Sequence, residues 1–129
     1  VTIAAEAVQQ PGASRIAAFL SRYFTAINSH DYQAYAALFL PGGQQLLSLQ
    51  FHSAYQSTTD SAVTLTGLES AGAGLAARVT FKSHQPPAIS ITSTACTSWH
   101  VTFYLTQSGS WYLIASPPAS YRPSARPCS

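Results

Sequence analysis

Two helical stripes in immediate succession constrain this chain more than any other feature. In residues 14–39 (SRIAAFLSRYFTAINSHDYQAYAALF), Ile16, Phe19, Leu20, Tyr23, Phe24 and Ile27 recur at i, i+3, i+4, i+7, i+8 and i+11, the spacing of a single helix face. Ser14, just after Pro11-Gly12, is the predicted N-cap. The pattern breaks at Asn28-Ser29-His30-Asp31 and restarts with Tyr32, Tyr35, Leu38 and Phe39. Asp31 is placed to cap the second helix, because a carboxylate there accepts the unpaired N–H groups of the first turn. Pro41-Gly42-Gly43 stops that helix. Helices that are apolar on one side only need an apolar sheet beneath them.

The remainder supplies the sheet. Residues 45–57 (QLLSLQFHSAYQS) set Leu47, Phe51 and Tyr55 four apart, which predicts a third short helix, with a short strand as the alternative. From Ser61 the period changes to two. Val63 and Leu65 alternate with threonines up to about Leu68, and residues 69–74 (ESAGAG) form a turn. Ala77, Val79 and Phe81 alternate with Arg78, Thr80 and Lys82. Pro86-Pro87 interrupts the ladder, since proline has no N–H to donate. In residues 97–106, Trp99, Val101, Phe103 and Leu105 point towards the helices, and Ser98, His100, Thr102 and Tyr104 point away. A hairpin loop at 107–110 returns the chain as residues 111–116, stopped by Pro117-Pro118. Two registers suit this hairpin, pairing Leu105 with Tyr112 or with Trp111. A slip of one residue exchanges the buried and exposed faces, so the pattern does not choose which of Trp111 and Tyr112 is inside. The organisation expected is a tether or short extra helix over 1–13, one domain over 14–116 and a Pro-rich extended tail over 117–129.

Charge narrows the function classes. Lys, Arg, Asp and Glu make up 8% of the 129 residues, about a third of the usual share of roughly 25%. The six basic residues, Arg15, Arg22, Arg78, Lys82, Arg122 and Arg126, form no cluster in the sequence, so no nucleic-acid partner is expected. No apolar run approaches the length of a membrane span. A chain that opens at Val1 and contains no Met reads as a trimmed piece, with any signal peptide or membrane anchor removed. Cys96 and Cys128 are the two cysteines. An oxidising compartment would pair them, and a reducing one would leave two buried thiols. The hairpin favours pairing, because it returns Pro117 to the neighbourhood of Cys96 and brings the tail within reach.

The A-I-N-S-H-D-Y corner, the order of three helices then a meander, and the closing W-x-V-x-F-x-L and G-S-W-Y-L-I strands together resemble the nuclear transport factor two-like (cystatin-like) superfamily. The resemblance spans residues 14–116. It implies an α+β fold in which N-terminal helices pack on a curved antiparallel sheet, a cone-shaped cystatin-like roll of about four to six strands. Cys96, Trp99 and Cys128 are similar to a Cys-x-x-Trp strand and late Cys found in extracytoplasmic members from bacterial envelope proteins. That likeness implies a secreted or envelope-associated location, with a tether to a membrane in a longer protein.

Enzymes of the superfamily, such as ketosteroid isomerase, scytalone dehydratase and limonene epoxide hydrolase, place Asp, His or Tyr inside the cone. Here Glu6 falls in the N-terminal segment and Glu69 in a Gly-rich turn, Asp31 reads as a helix cap, and Asp60 reads as a turn residue before a strand. Of the histidines, only His52 is expected to look into the cone mouth. No pair has metal-ligand spacing, so no metal and no cofactor are expected. Tyr35, His52, Tyr55 and Trp99 are the candidate pocket residues, aromatic walls with polar handles. The expected function is therefore a non-catalytic extracytoplasmic module that binds a small apolar ligand or a protein partner. The alternatives are a small isomerase or dehydratase using His52, Tyr55 or Asp60, and a homodimer formed through the outer sheet face.

Overall fold

The computed structural model describes residues 1–42 and 45–128. Among them are four helices and six strands: β1 (Thr2–Ile3), α1 (Ala5–Val8), α2 (Ala13–Asn28), α3 (Tyr32–Ala36), α4 (Ser48–Tyr55), β2 (Thr59–Ala71), β3 (Gly74–His84), β4 (Cys96–Ser108), β5 (Trp111–Ile114) and β6 (Ser124–Pro127). The fold is α+β, with one sheet that does not close into a barrel. Its strand order is β1-β2-β3-β4-β5, and β6 also pairs with β4. The sheet is mixed, because β1 runs parallel to β2 while the other pairs are antiparallel.

The predicted stripe of α2 is its buried face. Ile16, Phe19, Leu20, Phe24 and Ile27 are buried, and most of that stripe packs on Leu65, Ala77, Val79, Phe103, Leu105 and Ile114 of the sheet. Each such side chain removed from water contributes about 1.5–3 kcal/mol. The N-cap is Gly12, not Ser14. Gly12 takes φ 84°, and its carbonyl accepts the Ile16 N–H at 3.0 Å, so the helix starts two residues early. At the other end His30 adopts φ 56°, and the Asp31 N–H returns to the Ala26 carbonyl at 2.9 Å, closing α2 with a left-handed stop. Asp31 caps α3 as expected, accepting the Ala34 N–H at 3.1 Å. α3 ends at Ala36, ahead of the predicted stop at Pro41-Gly42-Gly43, because the chain from Leu38 to Leu40 bonds to Ile114 of the sheet; Gly43 lies outside the described residues. The third helix forms over Ser48–Tyr55, where the Gln50 side chain accepts the Leu47 N–H at 3.0 Å.

The N-terminal segment is more ordered than a tether. β1 adds to the edge of β2, Ala7 is buried, and the Gln10 amide makes two bonds to the backbone of Leu68 (2.7 and 2.8 Å). The turn expected over 69–74 is tighter than expected, since Ala71 pairs with Gly74 and only Gly72 and Ala73 lie between them. Neither predicted register of the last hairpin occurs. Leu105 pairs with Ile114 and Ser108 with Trp111, because both strands run on to a two-residue turn at Gly109 and Ser110. Tyr112 is buried and Trp111 is 54% exposed, with the Arg22 guanidinium 3.7 Å from its ring centroid.

The tail also departs from a surface coil. β6 pairs Thr97 with Pro127 and His100 with Ser124, and Cys96 and Cys128 are joined as a disulfide, Cα to Cα 5.4 Å. Between β6 and β5 the edge of β4 is filled by Tyr121, whose hydroxyl accepts the Thr102 N–H at 2.6 Å. The free edge of β5 is covered in turn by the segment after α3, through the Leu40 N–H to Ile114 carbonyl and Ile114 N–H to Leu38 carbonyl bonds (2.9 and 2.7 Å).

Candidate functional site

A cavity of about 220 Å³ opens between α2, α4 and the inner face of β2, β3 and β4. Its apolar walls are Phe24, Ile27, Phe81, Trp99, Val101 and Phe103. Phe81 and Trp99 stack across neighbouring strands, centroids 6.2 Å apart and planes 11° from parallel. Strand alternation accounts for this wall, since paired residues of adjacent strands share a face and Phe81 pairs with Trp99.

The polar end is built around Asp60, which is 7% exposed. It is not a turn residue. It lies within β2, pairs with Ser83 of β3 and lines the cavity. The Ser83 hydroxyl donates to Asp60 Oδ1 at 2.6 Å. The Asn28 side chain fixes the Asp60 backbone, accepting its N–H at 2.8 Å and donating to its carbonyl at 2.9 Å. Asp60 Oδ2 has no partner among the described residues, where no fully buried side-chain oxygen or nitrogen is left unpaired; this oxygen therefore keeps contact with open space. Burial raises the Asp60 pKa above the usual carboxylate value, offset in part by the Ser83 hydroxyl and by His84.

Two phenols complete the lining. Burial raises Tyr23 well above its ordinary pKa, helped by Tyr55, Tyr35 and Asp60. Tyr55 is pushed up to about 12, mainly by burial. Both phenols therefore stay protonated and remain O–H donors through the physiological range. Thr58 and Gln85 close the rim, Gln85 Nε2 donating to Thr58 Oγ1 at 2.7 Å.

Of the predicted pocket residues, Tyr55 and Trp99 line this cavity. Tyr35 lies behind it in the aromatic cluster of α3 and α4, against Phe51 (4.7 Å) and Phe39 (4.9 Å), with its hydroxyl accepting the Leu46 N–H at 3.2 Å. His52 is exposed on the outer side of α4. The arrangement brings together residues that the sequence did not join, namely Tyr23, Asp60 and Ser83. Asp60 was hidden by a bulge. Alternation read backwards from Leu65 and Val63 puts residue 60 outside, but the pairing shifts between Ser61 and Thr64, where Ala62 takes φ 53°. The extra residue returns Asp60 to the inner face. No cluster of three or more His, Cys, Asp or Glu suited to a metal occurs among the described residues. No protein-family model, curated protein or solved structure matches the chain.

Proposed function

We propose that this domain binds a small, mainly apolar molecule carrying one hydrogen-bonding group, held in the cavity between α2, α4 and the sheet. The observation that carries this reading is the polarity of the lining: aromatic and aliphatic walls with one carboxylate oxygen and two phenolic donors at one end. Such a lining rewards burial of an apolar body and fixes its orientation by one or two polar contacts. Helices on one side of a bulged sheet, with the cavity between them, also support the nuclear transport factor two-like reading. The Cys96–Cys128 disulfide supports an extracytoplasmic setting.

A bicyclic alcohol such as 2-naphthol is a suitable first probe. Trp99 stands in the wall, so occupancy is expected to change its emission and raise the thermal midpoint. Val101→Phe fills the cavity from β4 and is expected to abolish both effects. A Val101→Phe domain that bound the probe as the wild type does would place binding elsewhere and overturn the proposal.

The position of Asp60 favours one second reading, an acid–base enzyme. A carboxylate with one free oxygen beside an apolar cavity can accept a proton from a bound carbon acid, while protonated phenols donate to the oxyanion that forms. His52 has no part in it from the outer side of α4. Asp60→Asn separates the two readings: in a binding module the probe still binds, whereas in an enzyme turnover of a small carbonyl substrate is lost with binding retained.

A further inference from the structure

Asp60 stands alone in the cavity as a charge. No Lys, Arg or His is among the lining residues, and the ion pair found among the described residues, Arg78 with Glu69, does not involve it. Asp60 is 7% exposed, and Ser83 supplies a single hydroxyl to Oδ1 at 2.6 Å. Oδ2 has no protein partner among the described residues. A carboxylate buried to this degree is ordinarily paired with a cation or held by several donors. This one has neither, and burial raises its pKa accordingly. The titratable groups that act on it are Tyr23 on α2 and Tyr55 on α4, both protonated, and the exposed His84 on β3.

The surroundings of this carboxylate are aromatic. Tyr23, Phe24, Tyr55, Phe81, Trp99 and Phe103 all line the space, and aromatic rings attract cations through their electron-rich faces, Trp most strongly. Three kinds of ligand would meet this end of the cavity differently. An anion would be set against the Asp60 charge with no Lys or Arg to offset it. A neutral alcohol would donate one hydrogen bond to Oδ2 while excluding solvent from it, leaving the charge uncompensated in a drier place. A protonated amine brings the missing opposite charge, and its bond to a carboxylate is roughly twice as strong as a neutral one. A primary ammonium carries three N–H donors. Three acceptors belong to this end: Asp60 Oδ2 and the phenol oxygens of Tyr23 and Tyr55, both of which respond to the Asp60 charge.

We propose, on the premise that this cavity binds a small molecule, that the hydrogen-bonding group of its ligand is a protonated primary amine. The class selected is small primary amines with an aromatic or branched apolar body, the nitrogen at Asp60 and the body against Phe81 and Trp99.

A matched pair of probes tests this, because 2-naphthylmethylamine and 2-naphthylmethanol share ring and size and differ in charge. In calorimetric titration of the 129-residue chain near neutral pH, the amine is expected to bind about tenfold more tightly or better. Asp60→Asn keeps the shape of the side chain and removes its charge, so the two probes should then bind within about twofold of each other. In the wild type the preference should also fade as pH falls through the raised Asp60 value, because the carboxyl protonates while the amine keeps its charge. Val101→Phe should weaken both probes together, which ties both to the cavity. Amine and alcohol bound equally well by the wild type, and both lost in Val101→Phe, would overturn the amine assignment and leave the cavity to neutral ligands. An amine preference that survives in Asp60→Asn would place the ammonium elsewhere on the chain and overturn it as well. Binding of neither probe would remove the binding role of the cavity, and this assignment with it.

Discussion

Asp60 is the residue whose environment has the plainest consequence in solution. Its carboxyl is raised by burial, so the folded state holds the proton more tightly than the unfolded chain does. The stability from this group is fully present below the unfolded value of about 3.9 and is lost as pH rises through the raised folded value. Asp60→Asn is isosteric, keeps an oxygen for the Ser83 hydroxyl and carries no charge. Thermal melts from acid to neutral pH should show the variant more stable than the wild type near pH 7, with the difference closing in acid. A wild type that gained stability relative to the variant on raising the pH would show the sign to be wrong. Two glycines give a second contrast. A side chain at Gly67 would meet only the end of the Arg78 guanidinium, whereas one at Gly74 would strike the Leu105 carbonyl of the neighbouring strand. Gly67→Ala should therefore change stability by less than about 1 kcal/mol, the scale of an exposed ion pair. Gly74→Ala should cost about 1–3 kcal/mol, as measured by urea unfolding.

At the scale of elements, β4 organises the molecule. It is bordered by β3 along most of its length and by β5 and β6 in succession on the other side. The gap between those two strands falls at Thr102, and Tyr121 supplies the missing acceptor at 2.6 Å while its ring packs edge-on against Tyr104 at 5.6 Å. Removing that hydroxyl leaves a strand N–H without a partner in a part-buried place. Tyr121→Phe should cost about 1–2 kcal/mol and speed amide exchange at Thr102 ahead of its neighbours on β4. Unchanged protection at Thr102 would mean that water replaces the phenol at no cost. The α2–α3 corner works similarly for the site, because Asn28 at the end of α2 holds the backbone of Asp60 on β2 by two bonds. A helix end thus sets the position of the cavity's carboxylate.

For the whole molecule, the disulfide is the main covalent restraint. It joins residues 32 apart in sequence and closes β4, the last hairpin and the tail into one loop. On the chain-entropy account, closing such a loop removes freedom from the unfolded chain worth about 3–4 kcal/mol. Cys96→Ser with Cys128→Ser should lower the unfolding free energy by about that amount in urea. β6 should fray first, since its four residues hold only the edge of β4. A loss below about 1 kcal/mol would mean that strand pairing alone secures the tail.

The sequence by itself determined the elements with a strong period and the faces they bury. The stripe from Ile16 to Ile27, the Asp31 cap and the alternation from Trp99 to Leu105 are each set within a few neighbouring residues, where backbone geometry alone relates side chains to faces. Tyr55 and Trp99 were legible as lining for the same reason. What only the tertiary structure decided depends on contacts between distant segments. The bulge at Ala62 reversed the face of Asp60, the two-residue turn at Gly109 and Ser110 put Tyr112 rather than Trp111 inside, and β6 turned a proline-rich tail into part of the sheet. Arg78, Lys82 and Arg126 share a face because β3, β4 and β6 align them row by row. A local period cannot carry such information, since one inserted residue inverts every face beyond it, and strand registers are settled only when the partner strands meet.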